Sequence, residues 1–175
     1  SQLNLENFKI ATIYSALLGN QLQLSFSSWS DFSDFLNKIH IHGDFNWSAL
    51  NFKDLAKFAT SLSTMHQRIL FQGIADGTVS NLHTKDFLVN WGDASQTAFS
   101  GSIAGLPDLE ETFINVRVKT LTSNKQDLEK LLTGSAKLPE ILGNLNAFNF
   151  SGELTGFYTD LVAYGAFNTN LGILK

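Results

Sequence analysis

The chain of 175 residues has no cysteine, only two prolines and a single methionine. Without cysteine there is no disulfide framework and no thiolate metal site, and the composition fits either a reducing compartment or a cell envelope. Basic residues form no run and the formal net charge is -4, so the electrostatic footprint of nucleic-acid binding is missing. No apolar stretch approaches the roughly 18 residues that a bilayer-spanning helix needs, and Ser1 opens in mid-pattern without a signal peptide. The expectation is a fragment whose anchor or targeting signal lies outside it. Charged residues make up 16% and hydrophobic residues 43%, which is too little charge for disorder and enough apolar surface for one domain with a core.

What is plentiful is phenylalanine, with 15 copies among many Asn, Ser, Thr and Gly. Phe and Thr suit a pleated, half-buried surface, and Asn, Ser and Gly supply its turns, so the bias points to strands. One frame recurs. Phe150, Gly152, Gly156, Asp160 and Leu161 have the spacing of Phe71, Gly73, Gly77, Asn81 and Leu82, and Phe99, Gly101, Gly105, Asp108 and Leu109 repeat it one residue shorter. Repeated turn chemistry implies a repeated supersecondary unit. Lys53-Asp54-Leu55-Ala56-Lys57-Phe58 likewise resembles Gln126-Asp127-Leu128-Glu129-Lys130-Leu131. Residues 1–175 are therefore expected to form one β-rich domain with approximate repeat units 30–109 and 110–175.

Period-two alternation predicts strands through Ser1–Ser28 broken by a turn at Gly19-Asn20, then at Ile41–Trp47, Ile69–Ile74, Phe87–Trp91, Ala98–Ile103 and Phe113–Leu121. It continues at Ala147–Leu154, Val162–Phe167 and Leu171–Leu174. Asp76-Gly77 and Trp91-Gly92-Asp93 are turn candidates. Three- and four-residue steps predict a short helix within Ser30–Ile41 and a clearer one over Asn51–Met65, with Asn51 or Ser48 as its cap. Ser123 is a candidate cap for a third, and Gly134–Pro139 reads as a loop. Hairpins with glycines at the bends suit a strongly curved antiparallel sheet.

The chemistry is sparse. His40 and His42 share a strand face, with only Asp44 nearby to complete a ligand set, and read as ordinary strand residues. His66 and His83 stand beside loops. Asp108, Glu110 and Glu111 cluster past Pro107, where solvated charge is the common explanation, and no serine sits in a nucleophile elbow. The glycine frames lack the following helix a phosphate loop needs. Asn46-Trp47-Ser48 and Asn149-Phe150-Ser151 match the glycosylation sequon inside predicted strands. Trp29, Trp47, Trp91, Tyr158 and Tyr164 are the aromatics a carbohydrate-binding or adhesion module would use. No catalytic group, metal or cofactor is expected.

The run Phe150 to Gly172, together with Gly105 to Phe113, Phe52 to Phe58 and Ser33 to Lys38, resembles the TamB proteins of Bacteroidetes, partners in the translocation and assembly module within the AsmA-like group. That resemblance implies a U-shaped, taco-like β-sheet with a hydrophobic groove, carried by a periplasmic protein anchored in the inner membrane. It also implies a role in outer-membrane biogenesis, through phospholipid transport between membranes or the assembly and secretion of outer-membrane proteins. Its partners would be phospholipid or outer-membrane protein clients, with an outer-membrane partner met through regions outside this chain.

On alternation alone the inward, groove-lining set is Ile114, Val116, Val118, Phe148, Phe150, Leu154, Val162, Tyr164 and Phe167. Gly73, Gly77, Gly101, Gly105, Gly152 and Gly156 are the structural glycines. Burial of acyl chains on such a face is worth roughly 25 cal/mol per Å². A strand-capturing sheet edge and a structural spacer are the other readings of the same architecture.

Overall fold

The computed structural model describes residues 1–57, 67–108, 111–131, 146–157, 160–170 and 172–174. These form one antiparallel sheet in which strands lie in sequence order, β1 (Gln2–Ala11), β2 (Ala16–Ser25), β3 (His40–Asn51), β4 (Arg68–Thr78), β5 (Asn81–Trp91), β6 (Ser95–Ala104), β7 (Phe113–Asn124), β8 (Ala147–Phe157), β9 (Asp160–Thr169) and β10 (Gly172–Leu174). Three short helices interrupt it: α1 (Phe35–Lys38), entered through a 3-10 turn at Trp29–Asp34, then α2 (Phe52–Leu55) and α3 (Lys125–Leu131). The mainly β, curved-sheet expectation holds.

Curvature comes from the backbone. Every pairing from β2/β3 to β7/β8 carries a register shift, whereas β1/β2 and β8/β9 do not. A bulge puts two residues opposite one, bending the strand and raising its twist. Glycines do the same work on the face that carries Val116, here called the inner face. Gly101 (φ +150°) and Gly152 (φ +151°) are in a region L side chains rarely adopt, and a Cβ on either would collide with a neighbouring strand's carbonyl, of Asn115 and Tyr164 respectively.

The repeat is a four-strand unit. Strands β1, β2, β4 and β5 begin 79 positions before β5, β6, β8 and β9, and β3 begins 73 before β7. The six-residue difference is the extra length of the β2–β3 connection over β6–β7, and the β7–β8 connection restores it. Among the described residues two non-glycines have positive φ, Asn7 (47°) and Asp86 (49°), and they too are 79 apart. Asn and Asp are the side chains best tolerated there. The expected unit 30–109 holds the strands β3 to β6, and 110–175 holds β7 to β10.

Four local expectations change. Gly19-Asn20 lies inside β2 and the chain turns at Thr12–Ser15, because Gly19 makes room for the Phe8 ring opposite it and is no turn residue. Asp76-Gly77 is likewise inside β4. The second helix, expected over Asn51–Met65, is formed over Phe52–Leu55 with Ala56 and Lys57 in a turn after it; 58–65 lie outside the described residues, as does the 134–139 loop. Its cap is Asn51, whose side chain accepts the Lys53 amide, as expected. For α3 the cap is Asn124, accepting the Asp127 amide at 2.8 Å; Ser123 is instead a buried β7 residue bonded to Ser95.

Candidate functional site

Register sorts the sheet's two faces. Phe8, Phe45, Phe71, Phe87 and Phe99 form an unbroken ladder on the inner face, with successive ring centroids 5.9, 5.5, 5.5 and 5.8 Å apart. Such pairs contribute about 0.5–1.5 kcal/mol each beyond their area burial. Strand β2 contributes no ring at this level because Gly19 sits there, paired with Phe8 on one side and Phe45 on the other. Beyond Phe99 the row continues through Val116, Val118 and Phe150, packed with Ile103, Ile114, Leu121, Leu154 and Phe167.

Seven of the nine expected groove residues are thus inner-face residues: Ile114, Val116, Val118, Phe148, Phe150, Leu154 and Phe167. The other two are not. Val162 pairs with Thr155 and Tyr164 with Glu153, so both stand on the outer, polar face, where they are 43% and 66% exposed. The inward parity of β9 is uniform, with Leu161, Ala163, Gly165 and Phe167 opposite inner-face residues of β8, and Val162 and Tyr164 fall on the alternate, outward positions. Val116, Val118, Phe148 and Phe150 are 4–6% exposed, held by their neighbours in the row, while Ile114, Leu154 and Phe167 are half-buried.

At one end of the sheet two carboxylates hold the helices. Asp127 of α3 is 1% exposed and accepts the amides of Asp93 and Ala94 in the β5–β6 turn, the hydroxyl of Ser95 at the start of β6 at 2.8 Å and the Asn124 amide group at 3.1 Å. Burial pushes its pKa up, but the Ala94 and Asp93 amides, Ser95 and Lys130 outweigh this and hold it at about 2. Asp54 of α2 does the same to the β1–β2 turn, accepting from Ser15 at 2.6 Å and from Thr12, and its pKa is lowered chiefly by those two hydroxyls. Lys57 and Lys130 sit one turn on, at 3.3 and 3.7 Å from their aspartates. The sequence likeness between the helices is a likeness of hooks.

The opposite end is covered by the 3-10 turn. Trp29 and Phe32 pack on the inner-face residue Phe26, centroids 4.9 and 5.0 Å away, with Trp29 71% exposed, and the Leu36 carbonyl accepts the Ser80 amide of the β4–β5 turn.

The polar residues remain dispersed. His40 and His42 do share the outer face, and their carboxylate is Asp76, from the neighbouring strand, at 3.6 and 2.8 Å. Sequence reasoning looked to Asp44 because cross-strand neighbours are invisible to local spacing. Among the described residues no group of three His or acidic side chains is placed to hold a metal ion. Asp108 lies in the β6–β7 connection, where its carbonyl accepts the Thr112 hydroxyl, and Glu110 and His66 are outside the described residues. A depression of about 760 Å³ on the outer face is lined by Asp86, Leu88, Ser100, Arg117, Lys119 and Glu153, with Arg117 and Glu153 paired at 2.7 Å. The aromatics do not converge: Trp91 is buried, Trp29 caps one end, Trp47 and Tyr164 are exposed far apart in the strand order, and Tyr158 is outside the described residues.

The chain matches no protein-family model, no curated protein and no solved structure. Among the described residues no helix is long and apolar enough to cross a membrane.

Proposed function

We propose that this chain is a non-enzymatic, cell-envelope segment of a TamB-like protein, in which the apolar inner face shields phospholipid acyl chains during outer-membrane biogenesis. The observation that carries the reading is the continuous inner row from Phe8 to Phe167, crossing the sheet with rings or branched aliphatics and no charged side chain in it. Acyl chains lie against such a surface by the hydrophobic effect, with head groups left in water, and no reacting group is required. The half-buried Ile114, Leu154 and Phe167 are the contact points, since they retain surface to offer. The same sheet serves protein clients, by strand capture, only at its edges.

The test is photocrosslinking with phospholipid vesicles. A photoreactive residue at Ile114 yields lipid adducts, and one at Tyr164, on the wet face, does not. Equal labelling at both, or none at Ile114, removes the lipid reading. A second reading, a structural spacer, is favoured by one observation: Val116, Val118, Phe148 and Phe150 are already almost fully covered. It expects no lipid at Ile114.

A further inference from the structure

Among the described residues Trp91 is the one whose side chain buries a polar atom without a partner: its indole Nε1 reaches no acceptor. A buried donor left unpaired lowers stability, and native chains pair nearly all of them, so an orphan points to an acceptor brought by a ligand. Register places this donor on the inner face. Trp91 pairs with Ile69, two residues from Phe71 of the aromatic ladder, and on its other side with Ser95. The residue keeps 9% of its surface, through which an incoming ligand meets it.

Polarity along the strands is uneven. At the end held by Asp54 and Asp127 the inner-face row from β5 to β7 is Trp91, Ser95 and Ser123, whereas at the opposite end it is Leu82, Ile103 and Ile114. The two serines are already committed, to each other at 2.8 Å and, through Ser95, to Asp127. That leaves the indole N–H as the row's open donor. Leu82 and Trp91 are nine residues apart on β5, about 30 Å at the rise of a strand, and an acyl chain needs only about 15 Å, half the hydrocarbon core of a bilayer.

An amphiphile that fits this gradient carries a hydrogen-bond acceptor at the head of its apolar chains. The carbonyl of a fatty-acid ester is such an acceptor, and because it is uncharged it enters an apolar site at far lower desolvation cost than a phosphate or a carboxylate. We propose that Trp91 seats the ester carbonyl of a diacyl lipid, its indole N–H donating to that oxygen, with the acyl chains running along the strands toward Leu82, Ile103 and Ile114. This rests on the lipid reading of the inner face and adds to it a polar anchor and a direction.

The chain has three tryptophans, so its indole N–H groups give three signals in a nitrogen–proton correlation spectrum, assigned by replacing each with Phe in turn. The probes are dihexanoyl phosphatidylcholine, held below its micelle concentration, and its diether counterpart, which has the same head group and no carbonyl. The ester lipid should move the Trp91 indole proton downfield and leave that of Trp47, exposed on β3, in place. The diether should not shift Trp91 downfield. In titrations the ester lipid should bind at least about fivefold more tightly than the diether, the worth of one hydrogen bond, and Trp91→Phe, which keeps an aromatic ring, should bring the two affinities together. A Trp91 signal that stays in place while both lipids bind, or equal affinities in the unaltered chain, overturns this inference and leaves the lipid reading standing. Binding of neither lipid removes both.

Discussion

Asp54 and Asp127 occupy the same place in successive units, yet one is far better enclosed than the other. Asp127 collects two main-chain amides, a serine and an asparagine, whereas Asp54 relies on two hydroxyls and leaves 11% of its side chain in water. A hydroxyl can turn to another partner when its carboxylate goes, but a buried amide cannot, and an orphaned buried donor is the costly outcome. The unit's topology is kept by one aspartate per unit, while the strength of the hook is set by the turn it grips. Gly92 is part of that grip: a Cβ there would run into the Asp127 carboxylate.

Asp127→Ala should lower unfolding free energy by about 3 kcal/mol, since it orphans the Asp93 and Ala94 amides, and Asp54→Ala should lower it measurably less in the same denaturant titration. Equal losses would mean that the turn chemistry is irrelevant. Next comes the glycine pair at equivalent positions. Gly152→Ala places a Cβ against the Tyr164 carbonyl and Gly165, and should cost about 2 kcal/mol. Gly73→Ala, whose nearest obstruction is 2.8 Å away, should cost less by thermal melting.

Acid sharpens the same contrast. Both aspartates have folded-state pKa values below the ordinary 3.8, so each contributes stability that is fully present above about pH 4 and lost on acidification. For Asp127 the loss runs from about pH 4 down through about pH 2, and Asp127→Ala should flatten the stability profile across that window. The smallest effect belongs to the two left-handed residues. Asn7→Gly and Asp86→Gly should each change stability by less than about 1 kcal/mol in the same thermal melts, since glycine also keeps the main-chain amide that residue 86 donates to the Ser100 hydroxyl at 2.9 Å.

Much of this was legible in the sequence. The alternation over Ile114–Lys119 gave the faces of β7 correctly because only one parity there is apolar, and the bulge after Val118 that turns Leu121 inward left no mark in it. In β9 both parities are apolar, Leu161 and Ala163 on one and Val162 and Tyr164 on the other, so alternation had nothing to choose by and cross-strand register decides. The glycine frames located strands β4, β6 and β8, but a strand glycine reads as a turn when taken in isolation, as at Gly19 in β2 and Gly77 in β4. The resemblance of the two helices was visible, though its meaning was not: an aspartate on a polar helix face looks solvated until the turn it enters, more than thirty residues upstream, is brought to it.

The four-strand repeat carries a consequence for scale. Strands in a sheet are spaced by roughly 4.8 Å, so each unit lengthens the object by about 19 Å, whatever the lengths of the connections between its strands. A protein assembled from such units sets its reach by how many it strings together, and the six residues moved from one connection to another in this chain alter that ruler not at all.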